Sequence, residues 1–514
     1  MPDRDINEGS ITTAAGRLKS GPGGSYLEFV QAPRFAADRI EKFDAIIFTH
    51  QVWTLLLAEQ GVIPVRDALA IHRALLDLER QGHAALGVYQ PHLEDLYMHV
   101  ERFLANVVGA DVVGQINYGR TRPEPFNRLV GREKLLSLID EAIAFHRKLL
   151  DKAGDHLSTL MPGYTHMQQA QPMTAGHYLL AVADLVERSL EALALCYRHM
   201  NLNPLGCGAL AGTRKLIDRG RITGLMGFDG LVENAYDAVS SADHFSRAAG
   251  AAAALMASLS RVAQDFNLWC TEEFRIAYVG DEFAATSSMM PQKRNAVCWE
   301  FIRARASSVV GMASEVLSII QSTFYADVCD TCIEVAGPAW RALDTAGQMT
   351  RLLGDAITSV RFQKERMEEM VRKGFSTISE LAEAIRAKSG LPYRVVHRLC
   401  GQTVSKMIEL GRTAEQIDRK ILNETARLLG LPEIDLGDAE IRQAVDPVEF
   451  VRSRDGVGGT APAEGRRMLD DRQARLRKLL DEQAGRRRAI ERAGRALAEG
   501  WRRLEAAPAA PGRP

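Results

Sequence analysis

Aromatic residues are scarce in this chain, and neither sign of charge predominates. Only 6% of the 514 residues are Phe, Trp or Tyr, whereas 46% are hydrophobic, with alanine and leucine abundant. Because strands favour aromatic and β-branched residues and helices favour alanine and leucine, this composition predicts an all-α protein. The 64 basic and 65 acidic side chains nearly cancel. No overall field therefore favours nucleic acid or an anionic membrane, and we expect neither as a partner.

Long hydrophobic runs are missing as well. The polar start, MPDRDINEGS, has no apolar segment behind it, so neither a secretory signal nor a membrane anchor is predicted. The most apolar run, residues 248–259, is short and predicts a core helix. Seven scattered cysteines are typical of reduced thiols in a cytoplasmic protein. Cys329 and Cys332 form a single CxxC without a second pair, which predicts two small side chains on one helix face and no metal site.

Apolar residues recur at spacings of three and four through the middle of the chain, which indicates long amphipathic helices. The stripe is clearest in Leu179, Val182, Val186, Leu190 and Leu193. Strand-like alternation bounded by hairpin turns is hard to find. We predict an N-terminal domain over 1–110, a central helical bundle over 111–360 and a C-terminal domain over 361–514. Thr413 and Gln416 form a capping box.

The C-terminal end differs in composition from the rest. Arg466 to Arg503 is rich in arginine and helical in period, but acidic residues are interleaved with the arginines. A basic helix could contact RNA or lipid, yet this mixture favours a solvated or subunit-facing helix.

Three polar stretches, far apart in sequence, interrupt the helical pattern. In the first, GRTR (119–122), the arginines could clamp a carboxylate or phosphate. In the second, MPGYTHMQQAQP (161–172), Thr165 and His166 lie beside three glutamines in what we predict to be a turn at a helix start. Each stretch by itself is also compatible with ordinary surface or structural chemistry.

The third stretch, TSSMMPQKRN (286–295), holds two serines, a lysine and two side-chain amides. Proline suits the first turn of a helix, so we predict that a helix begins at Pro291 and offers its N–H groups to an anion. A simple serine cap would explain one serine but not the whole cluster.

These stretches and several other blocks resemble the argininosuccinate lyase branch of the aspartase/fumarase superfamily, from about residue 40 to about residue 460. The other matching blocks, all in the right order, are NPLGCGALAGT (203–213), YDAVSSAD (236–243), LWCTEEF (268–274), GFSTISELAEAI (374–385) and GGTAP (458–462). The resemblance implies an all-α protomer of three domains. It also implies a homotetramer whose active sites combine residues from different chains, and reversible β-elimination that breaks a C–N bond without a metal or organic cofactor.

The resemblance also implies roles for individual residues. Ser287 matches the serine that removes the Cβ proton, with Ser288 beside it as the open alternative, and Lys293 is the nearest cation. His166 matches the histidine that assists proton transfer at the leaving group, and Glu300 the carboxylate that orients it. The implied substrate-binding residues are Arg120, Thr121, Arg122, Thr165, Gln168, Ser288, Met290, Gln292, Asn295, Phe324 and Cys329.

Several positions depart from the family pattern, mostly by loss of hydrogen-bonding groups. Thr286 replaces a glycine, Pro123 an asparagine and Tyr97 a histidine, and Phe324 and Cys329 replace a tyrosine and a glutamine of the amine-binding block. Because unpaired polar groups on a substrate are costly, this favours a C–N lyase that acts on an N-substituted aspartate other than argininosuccinate. Two alternatives remain open: a lyase for a non-succinyl amino acid derivative, and a non-enzymatic structural homologue.

Overall fold

Helices dominate the chain, and the few strands are short. The computed structural model describes residues 21–121, 125–213 and 217–506. The helices up to the central bundle are α1 (Gly24–Tyr26), α2 (Ala32–Glu41), α3 (Phe43–Glu59), α4 (Val65–Gln81), α5 (Leu96–Val108) and α6 (Ala110–Gly114). Those that follow are α7 (Phe126–Asp155), α8 (Ala175–Met200), α9 (Arg219–Met226), α10 (Ala235–Ser240), α11 (Asp243–Trp269), α12 (Val297–Gln321) and α13 (Ala336–Ser359). The last are α14 (Lys364–Lys373), α15 (Ile378–Ser389), α16 (Tyr393–Glu409), α17 (Arg419–Leu428), α18 (Asp438–Val445), α19 (Pro447–Arg452) and α20 (Pro462–Ala506). The all-α prediction is confirmed.

Eight strands form four two-stranded sheets in the described part of the chain. They are β1 (Leu160–Thr165) with β2 (Gln168–Thr174), β3 (Leu202–Asn203) with β4 (Gly230–Leu231), β5 (Ala277–Tyr278) with β8 (Arg361–Phe362), and β6 (Ala285–Thr286) with β7 (Arg294–Asn295). The β3–β4 pair is parallel and the other three are antiparallel. Two of these pairs, β1 with β2 and β6 with β7, are hairpins that contain predicted site residues. The expectation from the sequence that hairpins are scarce missed both of them.

Five long helices, α7, α8, α11, α12 and α13, form the central bundle. Their apolar stripes meet in one core that includes the predicted residues Leu179, Val186 and Leu193. Leu255 and Leu259, in the alanine-rich run of α11, are fully buried in the same core. That run is therefore a core helix, as predicted. No helix in the described ranges is both long and apolar enough to cross a membrane.

Different loop segments gather at the two ends of the bundle. We call the first the serine end, and it consists of residues 156–175, 270–296 and 359–363. There, Lys152 Nζ donates to the Val360 carbonyl at 2.6 Å and Gly280 N donates to Ser359 Oγ at 3.0 Å. At the second, the arginine end (119–121, 125–127, 200–204, 236–243 and 322–335), Asn127 Nδ2 donates to the Cys332 carbonyl at 2.8 Å. Helices of 24 to 30 residues separate the two ends. At 1.5 Å per residue, this places them about 36–45 Å apart.

Two further hydrophobic clusters flank the bundle. One is built mainly from residues 35–129 and also takes in residues 205–228, Leu497 and Trp501. The other lies within residues 381–445. The domain boundaries near residues 110 and 360 stay a prediction.

The arginine-rich helix α20 docks along its own chain. Arg472 forms a bidentate ion pair with Asp184 of α8, and Arg487 Nη2 donates to Asp140 of α7 at 2.8 Å. Near its end, Trp501 stacks on His72 with ring centroids 3.9 Å apart. The prediction of a solvated or subunit-facing helix is therefore wrong for one face, because Arg472, Arg475 and Arg487 pair with acids on α7 and α8.

The predicted capping box at Thr413 and Gln416 is confirmed, since Thr413 N donates to Gln416 Oε1 at 2.9 Å. It caps a short 3-10 turn (Ala414–Gln416), and α17 begins after it with its own cap at Asp418.

Candidate active site

The loop that contains Ser287 connects two paired strands. Thr286 of β6 pairs with Arg294 of β7, and α12 begins at Val297. The prediction that a helix begins at Pro291 is wrong, because the backbone at 291–292 makes a turn and the chain then returns as a strand. Anion-binding donors in this loop are therefore turn N–H groups, with the N-terminus of α12 six residues further on.

Arg294 fixes the base of this loop. Its Nε donates to Asp281 Oδ1 at 2.8 Å, and its Nη2 donates to the Val279 carbonyl at 2.5 Å. The guanidinium carbon also lies 4.0 Å from the centroid of the Tyr278 ring. These three contacts hold β7 against the end of the bundle while the tip of the loop, with Met289 88% exposed, projects into solvent.

The two serines of the loop differ in their contacts. Ser287 Oγ accepts from Met290 N at 3.0 Å and from Met289 N at 3.3 Å, whereas Ser288 is exposed. Because N–H donors stabilise negative charge on the oxygen they face, the Ser287 hydroxyl is the better placed of the two to form an alkoxide. Met290, Gln292 and Lys293 are exposed, and Asn295 is half-buried.

The stretch around His166 is a β-hairpin, not a turn at a helix start. Thr165 of β1 pairs with Gln168 of β2, which leaves a two-residue connection. Both connecting residues have positive φ, 52° at His166 and 60° at Met167, as in the tight turns that match the twist of a hairpin. Thr165, His166 and Gln168 are exposed. The hairpin therefore presents these side chains at the serine end, and α8 begins seven residues after Gln168.

Gly163 allows this hairpin to form and other contacts hold it in place. A Cβ at Gly163 would lie 2.5 Å from the Gln171 carbonyl oxygen, beside an irregularity in the strand register. Gln169 Nε2 donates to the Met370 carbonyl at 2.9 Å, which ties the hairpin to α14. The tip of the hairpin is thus exposed, and its position is set by the contacts at its base.

Glu300 lies in the first turn of α12, at the serine end. It lines a shallow surface groove of about 490 Å³ with Asn267 and Arg303. Within the described residues of one chain, neither the His166 nor the Glu300 side chain has a hydrogen-bond partner. The His166–Glu300 hydrogen bond therefore stays a prediction.

Arg120 lies at the opposite end of the bundle. Its Nη1 is 3.1 Å from His50 Nδ1, and its guanidinium carbon lies 5.3 Å from the Tyr97 ring centroid and 5.7 Å from that of Phe126. Burial, together with the Arg120 charge, holds the pKa of His50 well below its usual value. His50 is therefore neutral and accepts from Arg120. Thr121 is half-buried, and Arg122 lies outside the described residues.

The segment after α12 also lies at the arginine end. Phe324 is 80% exposed. Cys329 and Cys332 are both free thiols, the first exposed and the second half-buried. Tyr325 donates from its hydroxyl to Asp237 Oδ1 at 2.6 Å, and Tyr236 donates to the Tyr325 carbonyl at 2.8 Å. The Asp237 carboxylate raises the pKa of Tyr325 to about 12, so its hydroxyl stays protonated at neutral pH.

One chain therefore assembles two half-sites and not one site. Ser287, His166 and Glu300 lie at the serine end, whereas Arg120 and Phe324 lie at the arginine end. The long helices between them prevent contact within a protomer.

Sequence reasoning missed three residues that shape these half-sites. Arg294 lies in the third polar stretch, and the sequence pattern indicated no role for it, although it holds the base of the loop. His50 and Arg128 lie within helical stretches and carried no motif, so only their burial reveals them. Across the described ranges, no group of three or more His, Cys, Asp or Glu side chains could hold a metal ion.

Comparison with known proteins agrees with this architecture. A family model described as "Lyase" matches residues 32–311. Argininosuccinate lyase 1 of Shouchella clausii is 33% identical over 457 residues, 88% of this chain and 92% of that protein. The argininosuccinate lyase of Methanothermobacter thermautotrophicus is 35% identical over 451 residues, 87% of this chain and 95% of that protein.

Solved structures give the same result. A variant of EDDS lyase with bound fumarate superposes with a TM-score of 0.84 and 29% identity, over 95% of this chain and 96% of that one. A class II fumarase from Schistosoma mansoni shares the fold, with a TM-score of 0.66 and 16% identity over 84% of this chain and 96% of that one. The chain thus belongs to the lyase family and is an argininosuccinate lyase-like carbon–nitrogen lyase of the aspartase/fumarase superfamily.

Proposed function

We propose that this lyase reversibly eliminates an amine from an N-substituted aspartate, giving fumarate, and that argininosuccinate is not its substrate. The observation that carries the proposal is the similarity, along nearly the whole chain, to a lyase structure that holds fumarate. The contacts of Ser287 and the altered amine-side segment are consistent with it.

In the proposed mechanism, Ser287 in its alkoxide form takes a proton from the carbon β to the amine. The electron pair left on that carbon spreads onto the adjacent carboxylate, where Lys293, Asn295 and loop N–H groups stabilise the added charge. These electrons then form the C=C bond of fumarate, and the C–N electron pair leaves with the amine. His166, or a water that it positions, supplies the proton that the amine gains. Glu300 would orient His166.

The remaining predicted contacts bind substrate in this proposal. Thr165 and Gln168 on the hairpin, and Ser288, Met290 and Gln292 on the serine loop, would line the site from the serine end. Arg120, Thr121 and Arg122 would line it from the arginine end.

The amine-side segment argues against argininosuccinate. A guanidino group offers several N–H donors, and a site for it needs matching acceptors. Phe324 contributes only a hydrocarbon ring and Cys329 a weakly polar thiol, while the hydroxyl of Tyr325 already donates to Asp237. An amine with fewer donors would leave fewer polar groups unpaired.

We also propose a homotetramer with shared sites, because the two half-sites of one chain are too far apart to meet. A second copy running in the opposite direction would bring its arginine end to the serine end of the first. The surface of α12 supports this arrangement, since Phe301, Val310 and Leu317 are between 42% and 57% exposed. Val310 and Leu317, seven residues apart, lie on one face of α12, and exposed apolar side chains on one face of a central helix are typical of an interface. We expect the tetramer to act in the cytoplasm without a cofactor.

A second candidate is elimination from an amino acid derivative that is not a succinyl compound. The contacts of Arg120 favour it, since this arginine lies against His50 and two aromatic rings. In that case the product would be an unsaturated acid other than fumarate.

Incubation of the purified protein with fumarate and a mixed panel of amines and amino acids tests the proposal. We expect mass spectrometry to find a succinyl adduct of one amine, with arginine giving little or none. If arginine gives the dominant adduct, the argument from the amine-side segment is wrong. If a correctly assembled tetramer gives no adduct with any amine, the second candidate replaces the first.

A further inference from the structure

Arg128, in the first turn of α7, is a buried cation without a paired carboxylate. Its side chain is only 5% exposed. Nη1 donates to the His199 carbonyl at 2.8 Å and Nη2 to Ser241 Oγ at 3.3 Å, both of them neutral acceptors. Within the described residues, no carboxylate lies close enough to form an ion pair with it. Burial lowers the pKa of Arg128 to about 10, and the more distant Asp243 and Asp237 oppose that shift.

A buried guanidinium at this pKa stays charged at neutral pH, and an unpaired buried charge is costly. Proteins usually retain such a group where it meets an anion. The two neutral hydrogen bonds of Arg128 satisfy only part of its five N–H donors.

Arg128 lines a small cavity of about 50 Å³ at the arginine end. A cavity of this volume has room for a few water-sized atoms, and a carboxylate group, with three heavy atoms, is of that size. Two other polar atoms on the wall, Asn127 Oδ1 and His244 Nδ1, are buried and lack hydrogen-bond partners in the part of the chain that the structure describes. Burial and the Arg128 charge hold the pKa of His244 well below its usual value, so the imidazole is neutral. A carboxylate could accept from His244 Nδ1 in the tautomer that carries its proton there, whereas Asn127 Oδ1 is an acceptor and needs a donor such as water.

The opposite wall of the cavity belongs to the segment after α12. Asp327, Thr331 and Cys332 line it, directly following Phe324 and Tyr325. The resemblance assigns this segment to the amine half of the substrate. By that assignment the cavity would border the amine half of the substrate, with Arg128 on one wall and the acidic Asp327 on the other.

We propose that Arg128 determines specificity by binding a carboxylate on the amine half of the substrate. The amine released would then be an amino acid or another amine that bears a carboxylate a few bonds from its nitrogen. This inference rests on the proposed elimination to fumarate and names the class of amine for that site.

The test compares three pairs of amines that differ only by carboxylate against methyl: glycine with ethylamine, β-alanine with propylamine, and 4-aminobutyrate with butylamine. Each amine is incubated with fumarate and the tetramer, and kcat/KM for adduct formation is measured. We expect the wild type to prefer the acid of at least one pair by about 10-fold or more, because a buried charge pair contributes strongly to binding.

In Arg128→Met this preference should disappear, with a loss of about 30-fold or more on the acids and little change on the alkylamines. Arg128→Lys should keep part of the preference, since it keeps the charge. The matched control is Arg247→Met, which removes an arginine at the same end that pairs with Asp243 on the surface. It should leave the preference intact.

Two outcomes would overturn the inference while the proposed function stands: a wild type that prefers alkylamines in every pair, or an Arg128→Met tetramer that keeps the preference. The first needs no variant, so it decides the question even if Arg128→Met fails to fold. No adduct with any of the six amines or with the wider panel would overturn the proposed function itself.

Discussion

At the residue scale, Ser287 differs from its neighbour in what contacts its hydroxyl. The two backbone N–H groups that face Ser287 Oγ come from the turn residues Met289 and Met290. The sequence left the base open between Ser287 and Ser288, since both have the same chemistry and adjacent positions. The turn geometry favours Ser287.

Replacing Ser287 with alanine should therefore lower kcat by about 100-fold to 10,000-fold, the range typical of a lost acid–base group. Ser288→Ala is the matched control and should cost much less, because its side chain is exposed. Steady-state kinetics on both variants, with the assembly state checked by light scattering, separates the two. The assignment would fail if Ser288→Ala were the more impaired variant.

At the scale of elements, the β1–β2 hairpin decides where His166 lies. Its tip is exposed, so its position depends on the base, where Gly163 passes close to the Gln171 carbonyl. A hairpin of two strands is only marginally stable by itself, and this one relies on contacts with α14. A substitution that alters the base of the hairpin should therefore shift His166 at its tip.

Gly163→Ala should push the two strands apart and displace His166, because the added Cβ would lie 2.5 Å from a backbone oxygen. We expect a stability loss of about 1–3 kcal/mol, as for other overpacked sites, together with reduced kcat/KM. The control is Gly401→Ala on the exposed face of α16, where no atom lies within 4 Å of the new Cβ. Thermal unfolding and kinetics are measured on both. Unchanged activity in a stable Gly163→Ala variant would separate the hairpin from catalysis.

At the scale of the whole molecule, the length of the bundle separates the two half-sites. Helices α11 and α12 run from one end to the other, so no movement of loops in one chain could join Ser287 to Arg120. In the proposed homotetramer, different chains would therefore complete each other's sites.

Mixed tetramers test this directly. Ser287→Ala and Arg120→Met should each be nearly inactive, because each lacks one half of every site. Co-expressed in equal amounts with different tags, they should form hybrids in which about one quarter of the sites have both unmutated halves, since each half is intact with probability one half. Activity should recover to roughly that level. Hybrids that stay as inactive as the parents would mean that both residues serve the same site from one chain.

The sequence alone determined the fold class and the chemical family. The leucine and alanine stripes require helix-on-helix packing, and residues such as Ser287 and His166 lie in blocks specific enough to identify the branch. It also predicts a change in specificity, because Phe324 and Cys329 stand where the family pattern has a tyrosine and a glutamine.

Only the tertiary structure decided how the polar stretches fold and which ends they share. Pro291 and His166 lie in hairpins because pairing between strands that are neighbours in sequence, β6 with β7 and β1 with β2, overrode the local helix signals. The burial of Arg128 depends on α8, α11 and the segment after α12 closing around it, and no spacing along α7 reveals that. The sequence therefore determined which chemical groups are available, whereas the packing of the helices determined which of those groups lie close together.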